Sequence, residues 1–293
     1  MRKWYSNHHY SIFNADAFLW LKSQRANSFH AVVTDPPFGI VEYSPKELKK
    51  LRNGHGGIWR IPNAFDGAER QPMPRFTVLD GHDRMALQAF HLLLAPELFR
   101  VLVPGAHVML SSHCLVSHLV TQAFSMAGFE ARGQIVRVVK TLRGGDRPKF
   151  GEKKYPEVSV IPRSSFEPWL LFRKPCEGRV AENLKRYGTG ALRRPSVDVP
   201  FSDLIESGPA RARERKLASH PSLKPQSLMR ALVRAALPLG KGVILDPFMG
   251  SGATVAAAKY LGLKSVGVEI DARYFQMAYS AIPKLAKFEI NGG

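Results

Sequence analysis

Leu245-Asp246-Pro247-Phe248-Met249-Gly250-Ser251-Gly252-Ala253-Thr254 decides the fold. An apolar strand, Val243 to Leu245, leads into a Gly-x-Gly turn, and a helix is expected from Thr254 to Leu261. Glycines let a backbone approach a ligand closely, and a helix start offers amide donors that no intrahelical carbonyl uses. Glu269 lies 19 residues after Gly250, at the end of the next strand, Ser265 to Val268, where a carboxylate can bind two ribose hydroxyls. The unit reads as a nucleoside-binding half-site. A dehydrogenase would show much the same arrangement, but Val255 occupies the position where a dinucleotide turn has its third small residue. No Gly-Lys-Ser/Thr follows to make a phosphate loop.

The same strand-helix theme extends in both directions. A helix is expected at Leu228 to Leu237, and further back a strand near Ser11 to Asn14, a helix at Ala17 to Ser23 and a β-branched strand at Ala31 to Thr34. Leu87 to Leu102 has helical spacing, and Pro104-Gly105 should stop that helix before a strand at Ala106 to Leu110. Leu115 to Met126 reads as a helix closed by Gly128, and Gln134 to Val139 and Trp169 to Phe172 as strands. Such alternation predicts an α/β fold, a mostly parallel sheet covered on both faces. Two stretches do not share the pattern: 42–80, rich in Gly, Pro, Lys and Arg, and 178–219, polar and basic. Segments of that length without periodicity are usually functional loops or disordered.

A second signal stands at the end of the Ala31 to Thr34 strand, where Asp35-Pro36-Pro37-Phe38 combines a carboxylate, a turn without backbone donors and an aromatic ring. An amino group could donate one hydrogen to Asp35 and another to the carbonyl of Pro36, while Phe38 stacks on the attached ring. That is a receptor for an exocyclic amine on a flat base.

Charge favours a polyanionic partner. Lys plus Arg number 42 against 24 Asp plus Glu, a formal charge of +18. Between Glu130 and Ser219 there are 20 Lys/Arg and 11 Asp/Glu, so half the excess lies in under a third of the chain. Clusters around Arg143, Arg147 and Lys149, around Arg193 and Arg194, and around Arg211 are interleaved with aromatic residues, as on a phosphate-contacting surface. Cys114 and Cys176 are the only cysteines. Without CxxC, HExxH or clustered Cys/His spacing, neither a metal site nor a disulfide framework is expected. No apolar run approaches the roughly 18 residues of a membrane span, so a soluble, cytoplasmic chain is expected.

These motifs and their order resemble the S-adenosylmethionine-dependent DNA amino-methyltransferases, in particular the circularly permuted β group in which the catalytic motif precedes the cofactor motif. Asn14-Ala15-Asp16 is similar to the family's acidic segment near the cofactor adenine, and Thr34 to Phe38 to its Asp-Pro-Pro-Tyr motif. Arg100 to Gly105 resembles a family helix-to-strand turn, His220-Pro221-Ser222-Leu223-Lys224-Pro225 its His-Pro-x-x-Lys-Pro element, and Asp246 to Gly252 its Asp-Pro-Phe-x-Gly-Ser-Gly loop. The resemblance implies a Rossmann-like methyltransferase fold with a loop-rich, basic DNA-recognition insert. A catalytic half would cover 1–177, carrying the basic insert 42–80, a target-recognition region 178–219, and a cofactor half 220–293.

It further implies that Asp35, Pro36, Pro37 and Phe38 hold the target base. S-adenosyl-L-methionine would be bound by Asp16 at its adenine, Glu269 at its ribose, Lys224 at its methionine carboxylate, and by Asp246, Phe248, Gly250, Ser251, Gly252 and Thr254 in the loop. Phe38 replaces the family's tyrosine, which keeps stacking but removes a hydroxyl. Asp35 at the head of its motif resembles the adenine N6 subgroup, serine being commoner in the cytosine N4 subgroup. Adenine in double-stranded DNA is therefore the expected substrate and cytosine N4 the alternative. Arg193, Arg194 and Arg211 are candidate base readers, and a second copy of the chain and a companion restriction endonuclease are the partners that the family suggests. From other classes, a non-catalytic nucleic-acid-binding protein of the same fold would be expected to lack Asp35, Gly250 or Glu269. An NAD-linked oxidoreductase would have no use for residues 35–38.

Overall fold

The apolar runs that the sequence marks as strands lie side by side in one sheet. The computed structural model describes residues 4–37, 80–143, 148, 150, 151, 153–160, 162, 164–220 and 222–290, with side chains of 140–143 and 164 excepted. Most of the basic insert 42–80 is thus outside the described residues. Among the described residues the strands are β1 (Trp4–Ser6), β2 (Tyr10–Asn14), β3 (Phe29–Thr34), β4 (Leu102–Ser111), β5 (Glu130–Arg143), β6 (Ser164–Arg173), β7 (Leu204–Glu206), β8 (Val243–Asp246) and β9 (Lys264–Glu269). Their order is β1-β2-β9-β8-β3-β4-β6-β5-β7. The central strands β2, β9, β8, β3 and β4 are parallel. β1 runs antiparallel to β2, and β6 is antiparallel to both of its neighbours.

The helices described are α1 (Ala17–Lys22), α2 (Gly81–Val101), α3 (Ser117–Met126), α4 (Val180–Tyr187), α5 (Ala212–Leu217), α6 (Gln226–Ala236), α7 (Ala253–Tyr260) and α8 (Ala272–Ala286). On one face Trp20 and Leu21 of α1, Leu94 and Leu98 of α2 and Phe124 of α3 pack on Val32, Val108 and Leu245. On the other face Leu228 and Leu232 of α6, Val255 of α7 and Ile282 of α8 pack on Ala31, Val33 and Ile244. Both sides of the central strands are therefore dry, which is why β3 reads as a continuous apolar run and not as an alternation. This is the expected doubly covered, Rossmann-like architecture. No helix of the described residues is long and apolar enough to cross a membrane.

Three details differ from the expectations. Pro104-Gly105 does not separate helix from strand: α2 ends at Val101 and β4 starts at Leu102 and runs through both residues. The register against β3 jumps from Phe29↔Leu102 to Ala31↔His107, so an irregularity in the ladder absorbs the missing proline donor and the positive φ of Gly105. The stretch 178–219 contains α4, β7 and α5, elements too short to show a period. Helix α8, absent from the sequence reading, forms despite an internal Pro283.

β3 connects through α2 to β4 on one side of the sheet, whereas β8 connects through α7 to β9 on the other. The direction in which successive strands are added across the sheet thus reverses between the parallel neighbours β3 and β8. Open α/β sheets bind ligands beyond the C-terminal strand ends at such a switch point.

Candidate active site at the switch point

β3 and β8 are paired in parallel, Ala31↔Ile244 and Val32↔Leu245, and each ends in an Asp-Pro step. Proline ends the ladder, so both chains leave the sheet at the same edge. Thr34 Oγ1 donates to Asp246 Oδ1 at 2.7 Å across 212 residues of sequence, and the Phe248 N–H reaches the same oxygen at 3.1 Å. Burial pushes the Asp246 carboxyl up to about 6, against the pull of the Thr254 and Thr34 hydroxyls.

The glycine turn follows Asp246. Gly250 and Gly252 have φ of 52° and 83°, which a side chain would resist, and a Cβ on Gly252 would lie 2.5 Å from Ile282 Cγ1. Gly250 N–H donates to Glu269 Oε2 at 3.0 Å, and Asp271 N–H to Oε1 at 2.8 Å. Burial raises the Glu269 carboxyl, and those amides oppose the shift. Ser251 and Thr254 are buried, Thr254 Oγ1 donating to the Val33 carbonyl at 3.3 Å. Phe248 packs against Phe90 with ring centres 5.7 Å apart. The Val255 departure from a dinucleotide turn also has an explanation. A Cβ on Gly267 of β9 would collide with Met249 Sδ and lie 3.0 Å from Val255 Cγ2, so the close helix-strand approach is provided from the strand.

Asp35 sits where residues from three further elements meet. Lys224 Nζ is 3.2 Å from Asp35 Oδ2 and 2.9 Å from Glu167 Oε2. The Trp169 indole donates to Glu167 Oε1 at 2.8 Å, and Arg137 Nη1 is 3.3 Å from Oε2. Arg137 also donates to the carbonyls of Ser207 and Gly208. Asp35 Oδ1 is buried and has no hydrogen-bond partner among the described residues, and the same holds for Ser111 Oγ and Ser112 Oγ. Burial is the main influence raising the Asp35 carboxyl. Lys224 opposes it, Glu167 adds to it, and the neighbouring Ser111 hydroxyl favours the charged form without reaching hydrogen-bond geometry.

Asp35, Pro36, Lys224, Asp246, Phe248, Gly250, Ser251, Gly252, Thr254 and Glu269 thus converge on one edge, with exposed Pro37 beside them. Asp16 joins from β2, whose partner is β9, and caps α1 by accepting from Leu19 N–H at 2.9 Å. Asn14 Nδ2 ties that segment to the Glu269 carbonyl at 2.9 Å. Lys224 lies between two carboxylates, a different setting from the one implied by the resemblance. Phe38, Arg147 and Lys149 lie outside the described residues, and of Arg143 only the backbone is described.

Of the candidate readers, Arg211 stands at the start of α5. That helix is fixed to this edge by Glu214, which accepts from the N–H groups of Arg211 and Gln226. Arg193 and Arg194 are elsewhere. Arg193 N–H donates to the Ala235 carbonyl and its guanidinium lies beside Gly240, ahead of β8 and hence at the opposite edge of the sheet.

The sequence reading missed Ser111, Arg137, Glu167 and Trp169 as parts of the site, and it placed Thr34 in the motif without its bond to Asp246. The signal available for two of them was Phe166-Glu167-Pro168-Trp169, a carboxylate set inside an apolar strand. It also gave no role to His220, whose ring lies 4.4 Å from that of Tyr274 and against Gly250. Burial and then Lys224 lower His220 to about 4, so it covers the glycine turn as a neutral ring.

A family model described as DNA methylase, for N6 and N4 enzymes, matches residues 29–280. The type II methyltransferase M2.DpnII of Streptococcus pneumoniae is 37% identical over 277 residues, covering 94% of this chain and 91% of its own. TTHA0409 from Thermus thermophilus, solved in complex with S-adenosyl-L-methionine, superposes with a TM-score of 0.56 at 20% identity, over 95% of this chain and 96% of its own. The cytosine-N4-specific PvuII DNA methyltransferase superposes with a TM-score of 0.61 at 14% identity, over 99% and 90%. At these identities the two structures speak for the fold.

Proposed function

The chain belongs to the N6/N4 DNA methylase family, and from that membership we propose that it methylates the exocyclic N6 amine of an adenine rotated out of double-stranded DNA, using S-adenosyl-L-methionine. The observation that carries the reading is the buried Asp35 Oδ1, without a partner among the described residues, beside the Asp246 to Gly252 turn. A buried acceptor without a donor is costly, about 1–3 kcal/mol, and a ligand amine would complete it.

The donor set fits the cofactor. Glu269 stands at the strand end where a ribose is held, the positive-φ turn at Gly250 and Gly252 lets backbone come close, and Asp16 and Phe248 border the same edge. When bound, S-adenosyl-L-methionine supplies an electrophilic methyl group. The chain's part is to make a poor nucleophile better and to keep water out. The amine lone pair of adenine is delocalised into the ring. Donation of one N–H to Asp35 Oδ1 and the other to the Pro36 carbonyl favours a pyramidal nitrogen with its lone pair free. Because the target is hidden inside a duplex, the base must be unstacked, at a cost of a few kcal/mol, and Phe38 is positioned in the sequence to offset part of it.

Aspartate at the head of the 35–38 motif supports adenine over cytosine. The segment 204–219, on the same edge as Asp35, is the better candidate for contacting DNA around the target. The test is to methylate mixed-sequence duplex DNA with isotopically labelled cofactor, digest it and identify the modified nucleoside by mass spectrometry. N6-methyladenine is expected. N4-methylcytosine would move the assignment to cytosine, and an unlabelled digest would remove the proposal.

A further inference from the structure

One ammonium serves two carboxylates in this site. Asp35 comes from the end of β3, Glu167 from β6, Lys224 from the segment before α6 and Arg137 from β5. Their side chains are 19%, 9%, 12% and 4% exposed, so the ion pairs are largely screened from water. Glu167 has little freedom. Its Oε1 holds the indole N–H of fully buried Trp169, and its Oε2 receives both Lys224 and Arg137. Arg137 is in turn anchored on two carbonyls, at 3.2 and 2.7 Å. Lys224 is therefore pinned by an immobile partner. It engages Asp35 Oδ2 and leaves Oδ1 without a partner among the described residues.

We propose that Glu167 is a positioning residue for methyl transfer: through Lys224 it fixes the Asp35 carboxylate so that Oδ1 is the oxygen offered to the base amine. The inference rests on the reading of Asp35 as the amine acceptor. With both acids ionised the four side chains sum to zero charge, the condition under which so buried a cluster is tolerated. A lysine private to Asp35 would neutralise the acceptor. One divided with Glu167 holds its position and leaves it able to accept.

Among the described residues the charged groups facing Asp35 are Lys224, Glu167 and, across the crevice, Asp246, with the Ser111 hydroxyl beside it; Arg137 acts through Glu167 and His220 lies next to Lys224. Lys224 favours the ionised Asp35 and Glu167 disfavours it. Removing each charge must therefore displace the protonation of Asp35 in opposite directions, and a positioning role adds a loss of rate at the alkaline plateau, where Asp35 is ionised in every variant.

The experiment measures single-turnover methyl transfer to duplex DNA across about pH 4.5 to 8 for the parent, Glu167→Gln, Lys224→Met, Lys224→Arg and Asp35→Asn. It adds carbon-13 carboxyl NMR titration of the protein free of cofactor and DNA, with Asp35 assigned by its absence in Asp35→Asn. In Glu167→Gln the acidic limb and the Asp35 titration should move down by about one pH unit, and in Lys224→Met up by about one. Both should lose at least about tenfold in rate at the alkaline plateau, because an unfixed acceptor is a misplaced one. Lys224→Arg should keep the parent limb.

Limbs that stay put, or that move the same way in both variants, overturn the proposal. So does loss of cofactor affinity in Lys224→Met with an unchanged limb, which would make Lys224 a cofactor ligand. If Glu167→Gln fails to fold, the two Lys224 variants decide by the same criterion. Undiminished turnover in Asp35→Asn would instead strike the underlying reading of Asp35.

Discussion

The two edges of the sheet treat buried polar groups differently. At the N-terminal edge, Asn183 is 1% exposed and fully engaged: its Nδ2 donates to the carbonyls of Pro104 and Thr189, and its Oδ1 accepts from Glu177 N–H. Lys174 Nζ there closes the carbonyls of Phe99 and Leu102 at 2.8 and 2.7 Å. At the C-terminal edge Asp35 Oδ1, Ser111 Oγ, Ser112 Oγ and Gln226 Oε1 are buried without partners among the described residues. The N-terminal edge has two such atoms, Ser265 Oγ and Arg230 Nε, and Nη2 of that guanidinium donates to the last carbonyls of α8. Hydrogen-bonded polar groups hold a fold together. A cluster of unsatisfied ones is retained where something else completes them. The contrast separates architecture from chemistry.

The sharpest way to break that contrast is at Asp35. Asp35→Ala should lower methyl transfer by at least about 10³-fold while cofactor affinity, measured by calorimetry, stays within about threefold, because the orphaned oxygen is expected to act on the base. Transfer within tenfold of the parent would abolish the distinction. Asn183→Ala should do the reverse. It leaves several backbone groups unsatisfied and should cost about 2–3 kcal/mol in denaturant unfolding, with turnover at saturating substrate unchanged.

Asp246 tests the comparison through pH. Its folded carboxyl keeps a proton up to about pH 6, against an ordinary value of 3.8. The stability it contributes is therefore fully present below pH 3.8 and is lost as pH rises through about 6. Asp246→Asn cannot titrate, so its stability relative to the parent should rise by on the order of 2 kcal/mol between pH 4 and 7. A pH-independent difference in thermal unfolding would contradict the buried, protonated acid. The smallest effect concerns the edges as surfaces. Arg211→Ala should weaken DNA binding and reduce the slope of log affinity against log salt by about one, whereas Arg193→Ala and Arg194→Ala should leave that slope alone. Equal changes at all three would put the N-terminal edge on DNA as well.

Much of this was legible before the fold. The strands at β3, β8 and β9 and the helices α6 and α7 follow from local runs of apolar residues, and Asp35, Asp246 and Glu269 stand at strand ends where chemistry is expected. The path from α2 into β4 was not legible. Proline and glycine ordinarily terminate an element, and only the register jump against Phe29 shows how a strand carries them. The stretch 178–219 read as one recognition region because it is uniformly polar and basic. In space it divides, with α4 held to Pro104 at one edge and α5 to Gln226 at the other.

By itself, the sequence determined the doubly covered sheet, the glycine turn with its acidic partner, and the proline-rich acid motif, because each is a local pattern written in consecutive or periodic residues. Tertiary structure alone decided which charges meet. Arg137, Glu167 and Lys224 are brought to Asp35 from distant parts of the chain, and Arg193 is separated from Arg211. An ion pair between distant elements depends on strand order and register, and neither leaves a mark in the residues that happen to pair.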